Sequence, residues 1–289
     1  MKLDKERGLL LLLSVLPLVI GSVIVLSVLD TSLIGEIVGG SYRFTPVQLA
    51  TQAIVSTGLG VIVVLALFWV VEREGHGAKR LVVAFLVSPI LGFVSIFLGQ
   101  ALLLVLFKGS TDILQGVVLF VSLGVSMISI VLVMIDVIPP VLKNVFVAFY
   151  GSIFGTFLGI TMVTSSMIVL IASIIVEDYF LIRYSPATKT EQVIDHIGSD
   201  PFDYTRIKSG LVSIGVGDYI VYSLIATHSL VFFPAYVTVM TLALTGLGIF
   251  INATVIARPG EALPGIPLPA LLGLFPWLMH IVALALYSS

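Results

Sequence analysis

Nine runs of nearly unbroken apolar residues, over 8–29, 47–71, 81–107, 114–138, 145–162, 164–184, 210–227, 231–256 and 267–287, leave this 289-residue chain few options. Each is close to the ~20 residues with which a helix crosses ~30 Å of hydrocarbon. The runs are apolar on every side and do not alternate in ~10-residue units, so they predict helices and not the strands of a membrane barrel. With 10% charged residues, against about 25% in soluble domains, and a mean hydropathy of +1.19, the chain reads as an all-α polytopic membrane protein. Little length is left for a soluble domain.

The first run follows Lys2, Lys5 and Arg7 and resembles a secretory leader in its charge, but it is too long for the 7–15 residue apolar core of one. It predicts a retained first helix. An odd number of spans puts the termini on opposite sides, and the basic residues choose between the two orientations. With the amino terminus cytoplasmic and the carboxyl terminus outside, Lys2, Lys5, Arg7, Arg73, Lys79, Arg80, Lys143, Arg183, Lys189, Arg206, Lys208 and Arg258 lie inside. That is twelve of the fourteen; only Arg43 and Lys108 lie outside.

A net charge of −2 gives no footprint for nucleic acid, and the absence of cysteine excludes disulfides, thiolate catalysis and cysteine-ligated metals. No internal repeat or inverted half is apparent, which argues against a transporter built from paired repeats. The whole of 1–289 reads as one membrane domain: helices 1–6 over 1–184, a cytoplasmic loop over 185–209, and helices 7–9 over 210–289. The loop carries Glu191, Asp195, Asp200, Asp203, Arg206 and Lys208 and reads as a solvated connection. Four prolines between Arg258 and Pro269 prevent a regular helix and leave free backbone groups beside the membrane. Gly151, Gly155 and Gly159 stand four apart, on one helix face that a neighbour can approach closely.

Most of the sixteen acids sit in loops or at span ends; Glu177, Asp178 and Asp218 do not. Asp218 lies eight residues into the seventh run, ~12 Å along a helix, where an ionised carboxylate costs ~2.5–3.5 kcal/mol. Asp178 lies six residues before Tyr184, ~9 Å from the same end, so consecutive helices carry carboxylates at matching depth. Facing one another, two such anions would repel and titrate as a unit with one shared proton. That state suits peptide hydrolysis, and it also suits proton or cation conduction in a channel or transporter. Asp136, beside Pro139 and Pro140, reads as an interfacial cap. None of the four histidines begins a His-Glu-x-x-His pattern, so no metal site of the zinc-protease kind is predicted. His280, within the ninth run, reads as a packed or interfacial residue before it reads as half of a Ser/His dyad.

Three elements in order narrow the choice: an Asp near the end of the sixth run, Gly215-Val216-Gly217-Asp218 in the seventh, and a Pro-rich approach to the ninth. The segment Gly215-Val216-Gly217-Asp218-Tyr219-Ile220-Val221-Tyr222-Ser223 resembles the Gly-x-Gly-Asp helix of the presenilins, intramembrane aspartyl proteases. Pro269-Ala270-Leu271 reproduces the family's third motif literally, while Ala262-Leu263-Pro264-Gly265-Ile266-Pro267 resembles its presenilin form, so two registers are open. The family's first acid is usually preceded by Tyr; here Glu177 precedes Asp178 and Tyr179 follows it, making both possible modulators.

The resemblance implies a presenilin-like fold of nine transmembrane helices and an endopeptidase with Asp178 and Asp218 catalytic. It implies active-site glycines at 215 and 217, and substrate binding by the Pro-rich segment. It implies no cofactor and no metal. The substrates would be transmembrane proteins in the lipid bilayer, single-pass with a cytoplasmic carboxyl terminus, cleaved without obligatory accessory subunits, as in compact microbial homologues. The competing expectation is a non-catalytic ion channel or proton-coupled transporter using the same two acids.

Overall fold

The computed structural model describes residues 5–28, 45–74, 76–107, 112–184, 201–209, 212–256 and 265–288. Among them are nine helices: α1 (Lys5–Val28), α2 (Pro46–Glu74), α3 (His76–Phe107), α4 (Asp112–Ile135), α5 (Pro140–Thr161), α6 (Thr164–Tyr184), α7 (Val216–Phe232), α8 (Ala235–Ile251) and α9 (Pro267–Ser288). A π-type turn, Asn252–Ile256, continues α8. Six helices, α1, α3, α4, α5, α8 with its π turn, and α9, are long and apolar enough to cross a membrane. Their outward faces carry large apolar side chains, such as Phe85, Phe120 and Val239, which suit hydrocarbon and not water. The chain is a helical, multi-pass membrane protein.

α7 packs against α1, α5, α6, α8 and α9, and its residues from Tyr219 to Ser229 are almost all buried. The glycine face of α5 is what admits it. A Cβ at Gly155 would fall 2.9 Å from the Ile220 carbonyl carbon, and one at Gly159 would fall 2.9 Å from the Leu224 oxygen. A Cβ at Gly151 would meet Val216 Cγ2 at 2.9 Å, so three successive turns of α5 lie directly on the α7 backbone. Gly21 brings α1 against Thr227 in the same way, and the Tyr219 hydroxyl donates to the Leu13 carbonyl of α1 at 2.6 Å.

At the opposite end of α7 from Asp218, buried His228 closes the short α5–α6 corner. Its Nδ1 lies 2.8 Å from the Gly159 carbonyl and its Nε2 3.1 Å from the Thr164 hydroxyl. A carbonyl only accepts, so Nδ1 carries the proton and Nε2 accepts from the threonine. His280 instead bonds the Tyr236 hydroxyl at 2.6 Å. Both histidines have packing roles.

Two sequence expectations change. The seventh run does not begin as a helix at residue 210. Arg206–Ser209 (β1) and Val212–Gly215 (β2) pair antiparallel, Arg206 opposite Gly215, and the helix begins only at Val216. β-Branched Val212 and Ile214, followed by two glycines, favour a strand there, and a short apolar run does not distinguish strand from helix. Asp218 therefore stands in the first turn of α7, and not eight residues along it. The 17 residues of α7 rise about 25 Å, less than the ~30 Å of a hydrocarbon core.

Asp136, expected as an interfacial cap, is instead part of a buried cluster. It adopts φ 58° at the α4–α5 corner, where its Oδ1 pairs with Lys143 Nζ and accepts from the Tyr204 hydroxyl at 3.1 Å. Tyr204 closes a short 3-10 turn, Pro201–Tyr204, and its carbonyl accepts from the Tyr150 hydroxyl at 2.7 Å. Burial, reinforced by the Asp136 carboxylate, holds the Tyr204 phenol above its ordinary range, so it stays a donor. This end of the 185–209 connection is docked against the bundle, not solvated. Residues 185–200, with Glu191, Asp195 and Asp200, lie outside the described residues. The cluster also places the hairpin, because the next carbonyl, that of Thr205, accepts the Val216 N–H at the start of α7 at 2.8 Å.

Three stability outcomes follow from this packing. Gly155→Ala drives a methyl into the Ile220 carbonyl and lowers stability by about 1–3 kcal/mol, read as the unfolding midpoint in detergent. Gly246→Ala, which meets nothing within 4 Å, leaves that midpoint unchanged or raised. Lys143→Met strands the buried Asp136 carboxylate and costs about 3–5 kcal/mol, part of which Asp136→Asn added to it restores. Unchanged midpoints for Gly155→Ala and Lys143→Met would contradict these packing assignments.

Candidate functional site

The two acids meet at the end of the bundle that holds the hairpin. Asp218 is the third helical residue of α7, and Gly215 is its N-cap, extended at φ −69°, ψ 150°. The Asp218 Oδ2 accepts the Gly215 N–H at 3.2 Å, the carboxylate half of a capping box; glycine has no side chain to return the second bond. An acid is favoured at this helix end by the orphan N–H groups and the helix dipole. The hairpin, by holding Gly215 extended, determines where that carboxylate sits.

Asp178 comes from the last third of α6. Its Oδ2 accepts the backbone N–H of Ile266 at 3.2 Å. The residue before it, Gly265, lies under Asp218: a Cβ there would fall 2.9 Å from the Asp218 Cγ and 3.1 Å from its Oδ2. Only glycine leaves the second carboxylate this close to the backbone. The carbonyl of Gly265 accepts from the Tyr222 hydroxyl at 2.8 Å and from Asn252 Nδ2 at 2.9 Å. One peptide unit, Gly265–Ile266, thus has its N–H on Asp178, its α-carbon against Asp218 and its carbonyl on two donors. The two carboxylates are brought together by their shared contact with this one peptide unit.

The glycines before Asp218 leave room. Among the described residues a Cβ at Gly217 would find Ile266 Cδ1, at 3.7 Å, and one at Gly215 would find the Asp218 Oδ2 at 3.6 Å. Glu177 turns from the pair toward α2, where its carboxylate lies 2.6 Å from the position of a Cβ on Gly60, and Tyr179 is exposed on the outer face of α6.

The third motif divides. Gly265 and Ile266 sit at the acids, and Pro267 opens α9 at the first helical position, where its missing N–H costs nothing. Pro269, Ala270 and Leu271 lie within the first turns of α9: Pro269 rests on Gly248 of α8, Ala270 is buried beside the core residues of α7 and α9, and Leu271 faces outward. Of the two registers open in the sequence, the Gly265–Ile266 one meets the carboxylates. Leu263 and Pro264 lie outside the described residues.

Two contributors escaped the sequence reading. Tyr222 stands one turn after Asp218, on the same face, a spacing that pointed to it. Asn252 is an amide at the end of an apolar run, and such a polar residue in a membrane helix is itself a signal. Among the described residues no group of three or more His, Cys, Asp or Glu side chains is placed to hold a metal ion. The arrangement offers two carboxylates on one peptide unit and two neutral donors on its carbonyl. Compared with protein-family models the chain matches none, and no curated protein matches it, so the geometry of its own residues carries the functional reading.

Proposed function

We propose that this chain is an intramembrane aspartyl endopeptidase that hydrolyses peptide bonds in transmembrane segments of other proteins, with Asp178 and Asp218 as the catalytic pair. The single observation that carries the reading is the Gly265–Ile266 peptide unit, held with one carboxylate on its N–H and the other against its α-carbon. A site that accommodates one backbone amide between two carboxylates has the dimensions that peptide hydrolysis requires.

One ionised carboxylate takes a proton from water as the water oxygen attacks the scissile carbonyl carbon. The other, protonated, donates to the carbonyl oxygen. Collapse of the tetrahedral gem-diol breaks the C–N bond: the proton gained from water passes to the departing nitrogen, and one gem-diol hydroxyl returns its proton to the acid that had donated, which restores the pair. Free carboxylate and amine result, and no covalent enzyme intermediate forms. Gly215 and Gly217 give the substrate backbone clearance beside Asp218. Because a transmembrane substrate is helical, its amides must unwind before they reach the acids. We assign the pairing of such a strand to the segment leading to Gly265, with Leu263 and Pro264, which the resemblance implies and which lies outside the described residues.

In this reading the nine helices form a presenilin-like, nine-span fold. The amino terminus and the acid pair stand toward the cytoplasm, in keeping with the distribution of basic residues. The acids act without metal, cofactor or accessory subunit. Substrates are single-pass proteins of the bilayer.

Asp178→Asn and Asp218→Asn each lower cleavage of a single-pass transmembrane peptide in lipid vesicles by at least about 10²-fold. Turnover retained by either variant contradicts the assignment; ion flux through wild type, lost in both variants and without any cleavage, favours a channel. Gly217→Ala fits the space over Ile266 and adds up to about 1 kcal/mol of helix propensity, so it folds normally and yet loses cleavage as the methyl takes substrate space. Full activity in that variant would remove Gly217 from the substrate path.

A further inference from the structure

Asn252 sits where α8 changes from α to π geometry: its backbone N–H is shared between the Gly248 and Ile249 carbonyls. Single π turns within α-helices are uncommon and concentrate at functional sites. This one is secured from two sides, by the Thr254 hydroxyl donating to the Phe250 carbonyl at 2.7 Å and by Arg7 of α1 donating to the Thr254 carbonyl at 2.8 Å. The bare face of Gly248 lets Pro269 approach, with its Cα 2.6 Å from where a Cβ would be, which brings the start of α9 against α8. These contacts deliver an amide to one lone pair of the Gly265 carbonyl, while Tyr222, from α7, takes the other. Facing a carbonyl oxygen, the Asn252 side chain must present its NH₂ group.

We propose that Asn252 and Tyr222 form a two-donor clamp on the Gly265 carbonyl, with Asn252 a positioning residue that holds the Gly265–Ile266 peptide unit against Asp178 and Asp218. Both donors converge on one oxygen from different helices, so the clamp fixes the plane of the peptide and not merely its distance. Rotation of that plane would withdraw the Ile266 N–H from Asp178 and move backbone into the clearance over Gly217. The clamp itself stands on geometry; its catalytic consequence rests on the protease reading above.

The chain has no cysteine, so Ile266→Cys creates a single thiol at a position that is 5% exposed. In the full chain in lipid vesicles, a water-soluble maleimide labels that thiol slowly. Asn252→Asp, which keeps shape but exchanges the donor for an oxygen, raises the labelling rate by about tenfold, the factor expected for a lost buried hydrogen bond. Tyr222→Phe raises it in the same direction, and Asn252→Gln, which keeps a donor, raises it less. Equal labelling rates in all of these overturn the clamp. In a second arm, with residue 266 native, Asn252→Asp lowers kcat for the transmembrane peptide by about tenfold with KM and the unfolding midpoint unchanged. Faster labelling with unaltered kcat overturns the positioning role. A wild type that cleaves nothing overturns the protease reading, and labelling alone then decides the clamp.

Discussion

Backbone amides away from water must find partners inside the protein, and this structure departs from regular helix at the points where its functional groups gather. The Gly265–Ile266 segment cannot be helical, because prolines flank it, and its N–H and carbonyl are satisfied by Asp178, Tyr222 and Asn252. The start of α7 has orphan N–H groups; the Thr205 carbonyl takes that of Val216, and the Asp218 carboxylate takes that of the capping Gly215. The two acids are thus structural acceptors for irregular backbone. The same requirement that makes them necessary to the fold brings them to one peptide unit.

Rigidity around that unit comes from the glycine-mediated contact of α5 with α7. Because α5 lies directly on the α7 backbone, α7 has no freedom to slide, and Asp218 inherits its position. The Lys143–Asp136–Tyr204 cluster does the same for the hairpin that leads into α7. An ion pair buried in this way is weak support for stability by itself, since desolvation offsets most of its attraction. Its value here is positional: Tyr204 directly precedes Thr205, whose carbonyl caps α7. By contrast, Glu177 lies against Gly60 of α2, so adjacent acids on α6 have different neighbours.

The helical plan was legible because membrane spans are written in length and hydropathy, and these survive errors of a few residues at each end. The close approach along Gly151, Gly155 and Gly159 was equally legible from spacing. What misled was the run over 210–227, where apolar character hid a change from strand to helix at Gly215; hydropathy does not report backbone geometry, whereas the β-branched residues and glycines there did. Asp136 was misjudged for a related reason. Its partner Tyr204 is 68 residues away, and Lys143 reaches it only across the folded α4–α5 corner. The Pro-rich segment could be placed near the acids but not in register, since Pro269-Ala270-Leu271 and Pro264-Gly265-Ile266 are alike in composition. The choice lies in which residue leaves its N–H unpaired, and Gly265, lacking a side chain, is the one that fits beneath a carboxylate.

The central claim is that two carboxylates from α6 and α7 act as one unit on one peptide bond. Its most direct measure is binding of a peptide whose scissile bond is replaced by a hydroxyl-bearing tetrahedral isostere to purified protein in lipid, compared for wild type, each single Asp→Asn variant and the double variant. Acting as a unit, the acids give tight binding in wild type and a loss in either single variant that the double variant scarcely deepens. Binding unaffected by either substitution, or losses that simply add, would contradict the account.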